Sequence, residues 1–193
     1  MNEEKFQDQL RRKWKARNEF ITLPPQKVYR LLAVHNVLIH EFEQWITQQH
    51  DIAAKAKVLC LGCHHGRILS RIDKERGIKG YYVDQSPRLM QSAIHLYPHF
   101  SYKLLEPEHI PYKSRKVNYA IVAVPFQSLY HKSAITAELR RVLKKQGVIY
   151  LYDRVGQSLS SVIEANGLYI EEKINYKLIT IYRVKALEDK RFI

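Results

Sequence analysis

The stretch that most constrains the fold runs from Lys57 to Leu69, with the sequence KVLCLGCHHGRIL. Its first five residues are mostly apolar, as in a buried strand, and a turn bracketed by Gly62 and Gly66 follows. Apolar residues then recur at helical spacing. A strand, a tight glycine turn and a helix open a βαβ unit, in which backbone N–H groups at the helix N-terminus face a ligand.

A second apolar run, residues 80–83, predicts another strand, which ends in Asp84. A carboxylate in that place lies where the two hydroxyls of a ribose would reach it. Two glycines and one acid are a weak motif by themselves, so the rest of the chain decides the interpretation.

The remaining chain alternates helices and strands, as a mostly parallel sheet requires. The predicted helices cover residues 1–23, 26–50, 87–96, 133–145 and 158–166, and the further strands cover residues 100–105, 117–124, 148–152, 168–175 and 177–184. The last two strands follow each other almost directly, so we expect them to be antiparallel.

Four segments resemble, in order and spacing, the motifs of the class I S-adenosylmethionine-dependent methyltransferases: residues 58–66, 83–90, 106–112 and 138–147. The resemblance implies an α/β fold of the Rossmann-like kind, a three-layer sandwich. Its seven-stranded, mostly parallel sheet would end in a C-terminal antiparallel hairpin, with N-terminal helices added. We expect a single domain, residues 1–193, with residues 1–50 as a helical cap and residues 57–184 as the core.

The resemblance also implies the cofactor, S-adenosylmethionine, with S-adenosylhomocysteine as product. Asp84 would hold the ribose and Glu106 the adenine amine. The other residues expected at the cofactor are Gly62, Cys63, His64, Gly66, Gln85 and Pro107.

Three residues depart from the family's motifs at positions that we expect to lie near the cofactor. Cys60 replaces an acid of the first strand, His64 replaces the central glycine of the turn, and Asn118 replaces an aspartate of the fourth strand. A dinucleotide needs that central glycine because its pyrophosphate approaches the backbone closely. S-adenosylmethionine has no pyrophosphate, so His64 favours it over a nicotinamide cofactor.

The segment after the fourth strand carries the candidate residues for the methyl acceptor. His131 is a candidate base, and Tyr130 or Phe126 would stack against an acceptor. The alternative for His131 is a helix-start or surface residue. Methyl transfer depends mostly on positioning, and it needs a base only when the acceptor carries a proton into the transition state.

The chain has two cysteines close together, Cys60 and Cys63, which do not predict a disulfide framework. They do not predict a metal site either, because a C-x-x-C pair supplies only two ligands. We expect Cys60 to pack in the core, while redox use of the pair stays open. The chain shows no apolar leader and no membrane-length apolar run, so we expect a cytoplasmic protein without a membrane partner.

The net charge of +13 favours acidic partners, either a nucleic acid or an anionic substrate, although it is also compatible with a role in solubility alone. The main hypothesis is a methyltransferase with an unidentified acceptor, a small molecule or RNA. The alternative is a catalytically weak or inactive protein of the same fold that binds RNA or a protein through its basic surface. A nicotinamide oxidoreductase is a third hypothesis.

Overall fold

The computed structural model describes residues 25–49, 51–104, 108–129 and 131–187. The helices among them are α1 (Pro25–Thr47), α2 (Arg67–Arg76), α3 (Pro87–Leu96), α4 (Lys132–Val142) and α5 (Ser160–Ala165). The strands are β1 (Lys57–Leu61), β2 (Lys79–Asp84), β3 (Ser101–Leu104), β4 (Val117–Val122), β5 (Leu143–Arg154), β6 (Leu168–Tyr176) and β7 (Ile179–Ala186).

The strands form one sheet in the order β3-β2-β1-β4-β5-β7-β6. Strands β1 to β5 are parallel, and β7 is antiparallel to both of its neighbours. The predicted seven-stranded, mostly parallel sheet with a C-terminal antiparallel hairpin is therefore confirmed. The chain builds outward from β1 to β3 and then returns to β4, so the strand order reverses between β1 and β4. In such sheets ligands bind at this reversal, beyond the carboxyl ends of the strands, which we call the carboxyl edge.

Each face of the sheet has its own hydrophobic core. Val58 and Cys60 of β1 belong to the core that α1, α2 and α3 cover, whereas Leu59 and Leu61 belong to the core under α4 and α5. All four residues are buried because β1 is central in a parallel sheet with helices on both faces.

Helix α1 is fixed on the sheet by aromatic contacts with β5. The ring of Phe42 stacks on Tyr152 with centroids 4.4 Å apart, and Trp45 meets Tyr150 edge-on at 5.7 Å. The order of these contacts makes α1 run antiparallel to β5. Its residues before Phe42 are therefore directed toward the carboxyl edge.

The helix predicted to reach residue 145 ends earlier, at Val142, and β5 begins at Leu143. Leu143 pairs with Val117 of β4 and is buried in the core under α4. The prediction was wrong here because helical spacing continues past the point at which sheet pairing becomes more favourable.

Asn118 lies near the amino end of β4, at the edge of the sheet opposite to the carboxyl edge. Its Oδ1 accepts hydrogen bonds from the Lys57 backbone N at 3.1 Å and from Lys144 Nζ at 3.2 Å. The expectation that this departure lies near the cofactor is therefore wrong, since Asn118 joins the amino ends of three strands.

The basic helix predicted over residues 1–23 lies outside the described residues. Among the helices that the structure describes, none is long and apolar enough to cross a membrane.

Candidate cofactor site

The glycine turn after β1 contains three residues with positive φ: Gly62 at 68°, His64 at 51° and Gly66 at 79°. A Cβ atom on Gly62 would lie 2.8 Å from Val124 Cγ1, so this position requires glycine for space as well as for conformation. At His64 the same left-handed conformation costs on the order of 1–2 kcal/mol. The turn thus keeps its shape despite the loss of the central glycine.

Helix α2 begins directly after the turn, and no described side chain caps its N-terminus at Gly66. The backbone N–H groups of its first turn are available to a ligand at the carboxyl edge. The Gly62 N donates to the Val83 carbonyl at 3.0 Å, which joins the turn to the end of β2.

Asp84 ends β2 beside this turn. Its Oδ1 accepts from the Ser86 backbone N at 2.8 Å and its Oδ2 accepts from the Tyr82 hydroxyl at 2.9 Å. The Tyr82 hydroxyl also contacts the His64 carbonyl. Tyr82 therefore connects the two halves of the candidate site, although the sequence analysis placed it only in a strand. Strand alternation was the available signal, because Tyr82 pairs with Cys60.

Burial raises the pKa of Asp84, and hydrogen bonds from Ser86, Tyr82 and the Gln85 backbone oppose that rise without cancelling it. Three donors do not use all of the roughly four acceptor positions of a carboxylate, so Asp84 can accept from a further donor. Ribose hydroxyls are such donors, and they would offset the remaining desolvation of the carboxylate. Burial also raises the pKa of Tyr82, so its hydroxyl stays a donor. These groups fit the ribose of S-adenosylmethionine.

Cys60 and Cys63 form a disulfide across the turn, with Cα atoms 5.9 Å apart. Both residues are buried, as expected for Cys60. The sequence analysis predicted no disulfide framework and left redox use of the pair open, and it did not foresee this local pairing. The reason is local, because the reversal at Gly62 brings Cys63 back beside the strand that carries Cys60.

A cavity of about 110 Å³ lies between α1 and the turn. Its walls include His40 and Glu43 from α1, Cys63, His64 and His65 from the turn, and Ala123 after β4. The sequence analysis missed Glu43, a buried acid of α1. Its position four residues after Ile39, on the edge of the apolar stripe, was the signal that could have revealed it.

The segment after β4 differs from its prediction at one candidate residue. Phe126 is fully buried in the core under α4, so it cannot stack against an acceptor. His131 is exposed at the start of α4, where its carbonyl accepts from the Ile135 N at 3.1 Å. Tyr130 lies outside the described residues.

Asp153 is a second acid that the sequence analysis missed. It is 2% exposed at the end of β5, and its Oδ2 accepts from the Gln127 backbone N at 2.7 Å. It thereby fixes the segment that follows β4 at the carboxyl edge. An acid directly after a continuous apolar strand was the signal for it.

The structure brings together Gly62, Cys63, His64, Gly66 and Asp84, with the half-buried Gln85 next to Asp84. Glu106 and Pro107 lie outside the described residues, so their roles stay predictions. Within the described ranges, no group of three or more histidine, cysteine or acidic residues is placed to hold a metal ion.

Residues 59–151 match the family model described as "Methyltransferase domain". Among curated proteins, none matches this sequence. Several solved structures have a similar fold at low identity. One is a chain of the complex between the Haloferax volcanii Trm112 methyltransferase activator and a methyltransferase, with a TM-score of 0.69 and 14% identity over 79% of this chain and 91% of that one.

A second similar structure is a SAM-dependent methyltransferase from Aquifex aeolicus, with a TM-score of 0.62 and 17% identity over 84% of this chain and 98% of that one. A third is the [4+2]-cyclase SpnF, with a TM-score of 0.66 and 10% identity over 76% of this chain and 80% of that one. At these identities the likeness shows the fold. Residues 59–151 match the methyltransferase model, and the strand order agrees with the fold of the class I S-adenosylmethionine-dependent methyltransferases, which the chain resembles.

Proposed function

We propose that this protein transfers a methyl group from S-adenosylmethionine to an acceptor, a small molecule or RNA, at the carboxyl edge of β1, β2 and β4. The observation that carries the proposal is the linked pair of the glycine turn and Asp84, joined through the Tyr82 hydroxyl. This pair combines a free helix N-terminus and a carboxylate with spare acceptor capacity in one crevice.

The residues present would hold the cofactor rather than carry out chemical steps. Asp84 would accept hydrogen bonds from the ribose, and the turn from Gly62 to Gly66 would support the remainder of the nucleoside and its amino-acid chain. The sulfonium supplies an already activated methyl group, so the protein's part is to orient the acceptor in line. Asp153 serves this end by fixing the Gln127 segment at the same edge.

Titration calorimetry with S-adenosylhomocysteine and with NAD tests the assignment. We expect the protein to bind S-adenosylhomocysteine and to show no heat with NAD, because a histidine in place of the central glycine would crowd the approach of a pyrophosphate to the backbone. Binding of NAD without binding of S-adenosylhomocysteine would refute the proposal and favour an oxidoreductase.

A basic cavity supports RNA binding as a second function, with or without catalysis. It has a volume of about 730 Å³ and lies where the amino ends of β4 and β5 meet the last turn of α4. Five of its lining residues are cations and none is an acid: Arg115, Arg140, Arg141, Lys144 and Lys145. Three of these already have partners, since Arg141 pairs with Glu138, Lys144 donates to Asn118, and Arg140 has a partner as well. The exposed Arg115 and Lys145 are the residues we assign to phosphate contacts.

The double variant Arg115→Gln/Lys145→Gln tests this function. If both residues contact phosphates of single-stranded RNA, the slope of log K against log salt should decrease by about 1.4. The matched control, Lys74→Gln/Arg88→Gln, removes the same charge from helices away from this cavity and should change the slope little. Equal effects of the two double variants would mean that only net charge matters.

A further inference from the structure

Glu43 is a buried carboxylate of α1, and its side chain is 3% exposed. A buried carboxylate is costly unless opposite charges compensate it. Two arginines of α2 do so. Arg67 Nη2 donates to Glu43 Oε2 at 3.1 Å, and Arg71 Nη1 lies 3.3 Å from Oε1.

The compensation is incomplete at one oxygen. Oε1 of Glu43 is buried and, among the described residues, receives no hydrogen bond, because Arg71 lies near it without suitable hydrogen-bond geometry. A buried acceptor without a donor carries a desolvation penalty that a ligand's N–H group can remove. Glu43 therefore has an unfilled place for a donor.

Glu43 and Arg67 both line the 110 Å³ cavity between α1 and the glycine turn, whereas Arg71 does not. Glu43 is the single carboxylate among the described residues that line this cavity. Cys63 and His64 form the opposite wall, so the cavity continues the site in which Asp84 and Tyr82 meet the turn. A ligand whose ribose lies at Asp84 and whose chain follows the turn would place its end in this cavity.

That end is an amino acid in S-adenosylmethionine, with an ammonium and a carboxylate on the same carbon. We propose that Glu43 Oε1 binds the α-ammonium of the cofactor and that Arg67 binds its α-carboxylate. The first strand carries Cys60 in place of the acid of the family's motif. Glu43 of α1 would therefore supply the negative charge that recognises the ammonium. This inference rests on the proposed function.

The variant Glu43→Gln tests the inference, with two ligands as probes. S-adenosylhomocysteine carries the amino-acid end, and 5′-methylthioadenosine has the same nucleoside without it. In the parent we expect S-adenosylhomocysteine to bind more tightly. In Glu43→Gln its affinity should fall about tenfold or more, the effect of losing a charged hydrogen-bond partner. The affinity for 5′-methylthioadenosine should stay within about twofold of the parent value.

Arg71→Gln is the matched control, because it loosens the pairing of α1 with α2 without removing a group from the cavity wall. Its preference for S-adenosylhomocysteine over 5′-methylthioadenosine should equal that of the parent, and the melting temperature of each variant reports whether it folds. If Arg71→Gln and Glu43→Gln reduce the preference equally, Glu43 only joins two helices and the inference is overturned. A parent that binds both ligands equally also overturns it, but leaves the proposed function standing. A parent that binds neither overturns both.

Discussion

Gly62→Ala is expected to destabilise the protein by about 2–5 kcal/mol, the sum of left-handed strain and of overpacking in a close contact. The added methyl group would lie 2.8 Å from Val124 Cγ1. Valine has few rotamers to escape into, and the Gly62 N is held by the Val83 carbonyl at 3.0 Å. Urea unfolding measures the loss in free energy.

Gly77→Ala is the control for this prediction. Gly77 has a similar φ of 60°, but a Cβ atom there would meet nothing within 4 Å. We expect this variant to lose only the conformational part, about 1–2 kcal/mol. If the two variants lose the same free energy of unfolding, the close approach of the added methyl group to Val124 does not contribute to the loss in Gly62→Ala.

Asp84→Asn is expected to weaken S-adenosylhomocysteine binding by about 10- to 150-fold, which corresponds to about 1.5–3 kcal/mol for a charged acceptor of hydroxyl groups. The fold should be retained. The asparagine amide can donate to the Tyr82 oxygen while the Tyr82 hydroxyl donates to the His64 carbonyl, so both existing contacts survive. Calorimetry gives the affinity and thermal melting gives the stability.

Asp73→Asn provides the comparison, since it removes the same charge from α2, where Asp73 pairs with His99 at 3.1 Å. It should bind S-adenosylhomocysteine as the parent does. An Asp84→Asn variant with parental affinity would mean that the ribose does not lie at the end of β2. Glu106→Gln, which tests the predicted adenine contact, should cost less because an amide oxygen can still accept from the adenine amine.

The two groups of predictions concern different properties of one site. Gly62 determines whether the turn can take its shape, and Asp84 determines whether the shaped site binds a nucleoside. Glu43 adds a third property, the recognition of an amino-acid end. Titrations with both S-adenosylhomocysteine and 5′-methylthioadenosine therefore separate the binding of the nucleoside from the binding of the amino-acid end. A titration with one ligand measures only their sum.

Much of the fold was predictable from sequence because its signals are local. The strand from Lys57 to Leu61, the helix from Pro87 to Leu96 and the antiparallel order of the last two strands agree with the structure. Alternation, glycine spacing and Pro87 after the capping Ser86 act over a few residues, so a single sequence displays them directly. The predicted end of α4 was wrong because the helical pattern continues past Leu143, a residue that pairs with Val117 of β4.

The sequence by itself determined the α/β class, the glycine turn and the acid at the end of β2, since each depends on neighbours in the chain. Only the tertiary structure decided which distant residues join them. Glu43 lies beside the turn because α1 packs on Tyr150 and Tyr152. Asn118 lies outside the site because it is at the amino end of its strand. These placements depend on which faces of helix and sheet meet. Apolar periodicity shows that one face of an element is buried, but it does not show which distant element covers that face.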